Sequence, residues 1–124
     1  MKSIRVGILP FISEHPTCHG QLMVDAVLMA IDEINNGGGV LGWPVEAVIQ
    51  PCSAETESFL SGARRLLQKE RIAHVFGGWT SEVRKAITHL FEAHNALLWY
   101  PFSYEGVELS RNILYGGACP NQQV

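Results

Sequence analysis

Charge of either sign is scarce in this sequence. Only 17% of its 124 residues are charged, and Lys and Arg together number 9. They form no run, the densest pair being Arg64-Arg65. A nucleic-acid groove or an anionic-membrane patch needs clustered cations, so neither is expected. The formal net charge is -3 at pH 7. Cysteine is scarcer still: Cys18, Cys52 and Cys119, 3 in all, with no CxxC spacing. An odd, small number argues against a secreted disulfide scaffold and for a reducing compartment. No stretch approaches the roughly 18 uninterrupted apolar residues of a membrane span. The N-terminus has no sustained apolar stretch either: Arg5 and Gly7 interrupt it and Pro10 ends it. No signal peptide is read there. The expected location is the cytoplasm if Met1 is the native start, and the periplasm if a signal peptide was removed. There is no GxxxxGK[ST] and no HExxH, which leaves phosphate-loop and zinc-protease chemistry without a motif.

What is present is a globular composition, 47% hydrophobic, arranged as short apolar runs between helical stripes. Residues 4–9, 45–50, 73–76, 96–99 and 113–115 read as strands. Each is stopped by Pro or Gly, or by Pro51-Cys52-Ser53. Between 21 and 35 the apolar positions Met23, Ala26, Val27, Ala30, Ile31 and Ile34 repeat at helical spacing. They predict one core face. A second helix is expected over 57–68 and a third over 81–94, with Thr80 or Ser81 as its N-cap. The order βαβαβαβ with continuous apolar strands predicts an α/β fold. Its sheet is doubly wound and mainly parallel, with helices on both faces. Residues 1–124 are read as one domain.

In such sheets ligands bind beyond the carboxyl ends of the strands. Two of the loops there combine useful chemistry. Gly77-Gly78-Trp79-Thr80-Ser81 supplies glycines, an aromatic, two hydroxyls and a helix N-terminus. Tyr100-Pro101-Phe102-Ser103-Tyr104-Glu105 supplies three aromatics and a hydroxyl. Helix N-terminal amides with hydroxyls suit a carbonyl or carboxylate oxygen. Aromatic walls exclude water. The plainer alternative is that these aromatics pack the core and the hydroxyls only cap a helix.

Other patterns carry less. Gly37-Gly38-Gly39-Val40-Leu41-Gly42 matches GxGxxG but follows a helix, so it reads as a turn. His15, Cys18 and His19 could touch a metal, but a structural zinc site wants two separated pairs, and an ordinary loop is the simpler reading. Cys119 as a catalytic thiol would need a base, with Glu105 and Lys85 as candidates. Arg84 and Lys85 sit where cations oppose the helix dipole. They are expected on a solvated face, or in a salt bridge to Glu82 or to a neighbouring lobe.

Several runs together resemble type I periplasmic binding proteins, in particular the branch that binds short amides and urea. They are Ala30-Ile31-Asp32-Glu33-Ile34-Asn35 with Gly38 to Gly42, and Phe76-Gly77-Gly78-Trp79-Thr80-Ser81 with Arg84-Lys85-Ala86. The others are Leu98-Trp99-Tyr100-Pro101, Tyr104-Glu105-Gly106, Tyr115-Gly116-Gly117-Ala118 and Pro120-Asn121-Gln122. The resemblance implies a two-lobed solute-binding protein without catalysis and without a cofactor or metal. It would serve an ABC transporter permease, or act as an amide sensor on a regulatory partner. The ligand would be a small amide or urea-like molecule. Trp79 and Tyr100 would be walls, Thr80 and Ser81 donors, and Phe102, Ser103 and Tyr104 the second loop. Phe102-Ser103 departs from the smaller or more polar residues common there, and would narrow the pocket. The chain corresponds to the N-terminal lobe, the second lobe being absent. A homodimer through the exposed inter-lobe face is a further expectation. The alternatives are a branched-chain amino-acid binder and a small α/β cysteine hydrolase acting on amides.

Overall fold

The computed structural model describes residues 2–14 and 19–122. Eight elements follow in order: β1 (Ile4–Leu9), α1 (His19–Asn36), β2 (Val45–Ile49), α2 (Thr56–Arg64), β3 (His74–Gly77), α3 (Ser81–Ala93), β4 (Leu97–Tyr100) and β5 (Ile113–Tyr115). A π-helical turn, Arg65–Lys69, extends α2, and a 3-10 turn covers Pro120–Gln122. All five strands pair in parallel, in the order β2-β1-β3-β4-β5. The expected doubly wound parallel sheet is therefore present.

The strand register explains which side chains are buried where. Leu9, Val75, Leu98 and Ile113 point to one face. There they meet Phe59, Ala63 and Leu66 from α2 and its extension, and Val83, Ile87 and Phe91 from α3. This is the larger core, and Phe59, Leu66, Ile87, Phe91 and Leu98 in it are 0% exposed. The opposite face carries Ile4, Val6, Val45 and Phe76, with Ile31 and Val27 of α1 above them.

On that second face the expected α1 stripe is only partly right. Gly20, Val24 and Ile31 are buried, whereas Ala26, Ala30 and Ile34 are exposed. The reason is coverage. Five strands about 4.8 Å apart are wider than one helix of about 10 Å. α1 lies against the β2 side and leaves an apolar hollow of about 250 Å³ between Ile31, Ile34, Val6 and Phe76. Beyond it, Phe76 and Trp99 stack with centroids 5.7 Å apart, and Leu114 stays 40% exposed.

The remaining expectations differ at their ends only. The π-helical turn lets Leu66 and Leu67 both face inward. The glycine run after α1 is a turn, closed by paired backbone hydrogen bonds between Val40 and Trp43 at 2.9 and 3.0 Å.

Candidate functional site

The central strands β1 and β3 lie between connections that run to opposite sides, which makes their carboxyl ends the switch point of the sheet. Phe11 follows β1 there, and Trp79 follows β3. Their rings are 5.5 Å apart. His19, at the start of α1, lies 5.8 Å from the same indole, and Phe102 meets it edge-on at 5.4 Å. Loops after β1, β3 and β4 thus converge on Trp79.

Trp79 is half-buried and Thr80 is exposed. Thr80 is the N-cap of α3, its hydroxyl accepting from the Val83 amide at 3.2 Å. A helix leaves its first amides without partners in the helix, so those of Ser81 and Glu82 are donors at this rim. Ser81 accepts from Arg84 Nη1 at 3.3 Å. Ser103 is exposed, while Phe102 and Tyr104 are half-buried. Tyr100 is only 1% exposed. It forms the floor under Gly78 and Phe102, and its hydroxyl donates to the Trp79 carbonyl at 3.5 Å. Tyr104 stacks on Tyr115 with centroids 4.5 Å apart, and its amide donates to Ala118 at 3.2 Å.

The strongest electrostatics lie beneath this rim. Arg84 is 0% exposed, against the expectation of a solvated face or a bridge to Glu82. Its Nε donates to Glu108 at 2.8 Å, and Nη2 reaches Glu108 at 3.0 Å and Glu105 at 3.1 Å. The guanidinium lies 4.8 Å over the Tyr100 ring, a cation–π contact. Burial alone would lower its pKa, but the bonds to Glu108 and Glu105 outweigh that and raise it. Glu105 is held at about 2 by hydrogen bonds from Ser81, its own backbone and Arg84. Arg84 likewise lowers Glu108. Tyr115 donates to Glu108 at 2.7 Å, and burial together with that carboxylate raises its pKa. Sequence reading missed this cluster. Two acids and three tyrosines in the right loops were visible, but pairings 21 and 24 residues apart leave no periodic signal.

Between the two acids, Gly106 and Val107 both have left-handed backbone, φ 78° and 53°. A β-branched residue is strained there. Val107→Asn is expected to stabilise the chain by about 1 kcal/mol, since Asn tolerates that conformation. Urea unfolding checks this; a loss of stability would show that the valine side chain matters more than its backbone.

Neither Cys52 nor Cys119, the described cysteines, is poised for catalysis. Cys119 bonds the amide oxygens of Asn121 and Gln122, neither of which is a base. Cys52 is 3% exposed, and burial raises its pKa from 9.0 to about 11, a Ser58 hydrogen bond offsetting only part. A raised native value favours the folded state fully below about 9, and that contribution is lost as pH rises through about 11. Stability is therefore expected to fall across that window. Near pH 8, iodoacetamide should label Cys119 about tenfold or more faster than Cys52, read by peptide mass. Equal rates would refute the burial argument. His15 and Cys18 of the suggested metal trio lie outside the described residues. Among the described residues, no group of three His, Cys, Asp or Glu could hold a metal.

With this geometry established, comparison with known proteins decides the family. A model described as "periplasmic binding protein domain" matches residues 4–124. The chain belongs to that family. Solved structures agree on the fold. The branched-chain amino acid transporter substrate-binding protein LivJ from Streptococcus pneumoniae, in complex with isoleucine, superimposes with TM-score 0.85 at 24% identity, over 95% of this chain and 34% of that one. An ABC-type branched-chain amino acid transporter from Rhodopseudomonas palustris gives 0.83 at 10% identity, over 97% and 34%. A branched-chain amino acid ABC transporter periplasmic ligand-binding protein from Burkholderia xenovorans gives 0.68 at 27% identity, over 79% and 26%. The chain spans about a third of the length of the first of these.

Membership confirms the fold expected from the resemblance and makes this a periplasmic binding domain, a binding rather than a catalytic unit. The cysteine-hydrolase alternative falls with it. The finer assignment to the amide and urea branch is not carried by these structures, whose descriptions name branched-chain amino acid transporters.

Proposed function

We propose that residues 1–124 form the N-terminal lobe of the solute-binding component of an ABC transporter. This lobe would hold one side of a small ligand while a second lobe closes over it. The observation that carries this reading is the rim at the carboxyl ends of β3 and β4. There the first-turn amides of α3 and the Thr80 and Ser81 hydroxyls lie beside the apolar faces of Trp79 and Phe102. An oxygen of the ligand would take the helix end, and its apolar part the aromatic faces. Ser103 and Tyr104 would border the second lobe, and Tyr100 would support the wall from below. The partner is a permease, and the family's description favours the periplasm.

The ligand class best supported by the neighbours is an aliphatic amino acid, its carboxylate at the helix end. A second reading, a short amide or urea, draws on a specific observation. Arg84, the cation beneath the rim, is already matched by Glu105 and Glu108 and adds no net positive charge for a carboxylate. The Trp79-Thr80-Ser81 and Tyr104-Glu105-Gly106 runs favour the same reading.

Calorimetric titration with isoleucine, leucine, butyramide and urea separates these. Heat from isoleucine or leucine alone supports the amino-acid reading and removes the amide one; butyramide or urea alone does the reverse. Ser81→Ala should weaken whichever binds by about tenfold, because it removes a hydroxyl at the helix end together with the bond by which that hydroxyl holds Glu105. Unchanged affinity would move the site away from α3. Light scattering on the same samples reports the expected homodimer.

A further inference from the structure

The geometry points to Arg84 as a positioning residue for the ligand loop, resting on the reading of Trp79, Phe102 and Tyr104 as ligand-facing. The segment between β4 and β5 has no regular secondary structure until its last residues. A backbone tie from the Tyr104 amide to Ala118 crosses it, at 3.2 Å. Its placement therefore depends on side chains, and the densest set converges on one guanidinium. Arg84 binds Glu105 and Glu108 of that segment with three donor contacts between 2.8 and 3.1 Å. Its face covers Tyr100, and Tyr104 and Tyr115 flank it at 5.8 and 5.9 Å. Tyr115 closes the ring by donating to Glu108.

Two features show that the chain is bent to make this cluster. Gly106 and Val107 adopt consecutive left-handed conformations, which fold the segment back so that both carboxylates meet the same cation. The cation itself sits in the first turn of α3, where the helix dipole opposes it. The two acids, with the Tyr100 ring, offset that opposition. Arg84 thus ties the start of α3, with Thr80 and Ser81, to the loop that carries Phe102 and Tyr104. It sets the spacing of the two halves of the rim without touching the ligand. A lysine cannot replace it, because a point charge lacks the planar fork that grips two carboxylates and stacks on a ring.

The test uses the whole chain with Glu108→Gln, Glu105→Gln and Arg84→Lys. Amide hydrogen exchange read by peptide mass reports local opening. Isoleucine and butyramide titrations report binding. Glu108→Gln should raise exchange in peptides spanning 101–110 by about tenfold, leave β1, β2 and β3 unchanged, and weaken the ligand that wild type binds about tenfold. Arg84→Lys should behave alike, and Glu105→Gln should do so more weakly, because the Glu105 side chain is itself 60% exposed against 22% for Glu108. Unchanged exchange in 101–110 overturns the proposal. So does a rise spread evenly over the chain, which is a plain stability effect, and so does local opening with unaltered affinity. A wild-type chain that binds neither probe is the result expected of one lobe that holds a single side of its ligand, and affinity is then no readout. The exchange pattern then still decides whether Arg84 holds the loop.

Discussion

Gly77→Ala is expected to lower the thermal midpoint by roughly 15 °C, from a loss of about 4 kcal/mol at some 4 °C per kcal/mol for a domain of this size. Gly77 ends β3 with φ 138°, in the region that disfavours any side chain. An added Cβ would fall on the carbonyl oxygen of Leu9, with the Leu9 nitrogen 3.1 Å away. These are backbone atoms of β1, an interior strand of the sheet. Leu9 is paired with Gly77 in the sheet, and its carbonyl accepts from Gly78 at 3.1 Å. Neither strand can shift without breaking that ladder. The close approach also turns β3 outward and delivers Trp79 to the rim. Gly38→Ala is the control. Its φ is 102°, but an added Cβ would meet nothing within 4 Å. It carries the conformational cost alone, about 1 kcal/mol. The difference between the two variants isolates the clash. Gly77→Ala melting within about 2 °C of wild type would sink this account.

Arg84→Met is the second large effect, a loss of about 3 kcal/mol. The side chain is 0% exposed, so its removal forfeits packing on Tyr100 as well as its ion pairs. Glu105 is 60% exposed, and its pair with Arg84 is screened by water. The weight falls on Glu108, whose side chain is 22% exposed and also faces Tyr115. Removing the cation leaves that carboxylate half-buried without its partner. If this is the reason, removing the acid too should help. Arg84→Met combined with Glu108→Gln should recover part of the loss, since a neutral pair can be nearly as stable as a buried ion pair. Urea unfolding of the two variants checks it. A double variant less stable than Arg84→Met alone would show that packing, not charge, dominates.

Much of this molecule was legible from residue order. Apolar runs stopped by Pro or Gly marked all five strands, because strand burial on both faces demands continuous apolar side chains. Helical stripes marked α2 and α3, since each buries one face against the sheet. The alternation of strand and helix determined a parallel sheet, and that alone points to the carboxyl ends of its strands as the candidate ligand end. It also places Trp79 and Phe102 in one neighbourhood. Their ring contact is the outcome.

Three matters were settled only by the tertiary structure. The stripe on α1 was read as one buried face, yet Ala30 and Ile34 are exposed, because periodicity cannot say how many strands a single helix covers. Tyr100, expected to line the ligand, is 1% exposed, because alternation along β4 turns it towards α3 with Leu98. Arg84, expected on a solvated face or in a salt bridge to Glu82 or a neighbouring lobe, is buried against Glu105 and Glu108, because these partners come from a loop whose path no local pattern records. Local sequence determines which residues prefer to be strand, helix or turn, and on which side they are apolar. Which distant loop folds back to neutralise a cation depends on the whole chain's path, and only the folded structure fixes that.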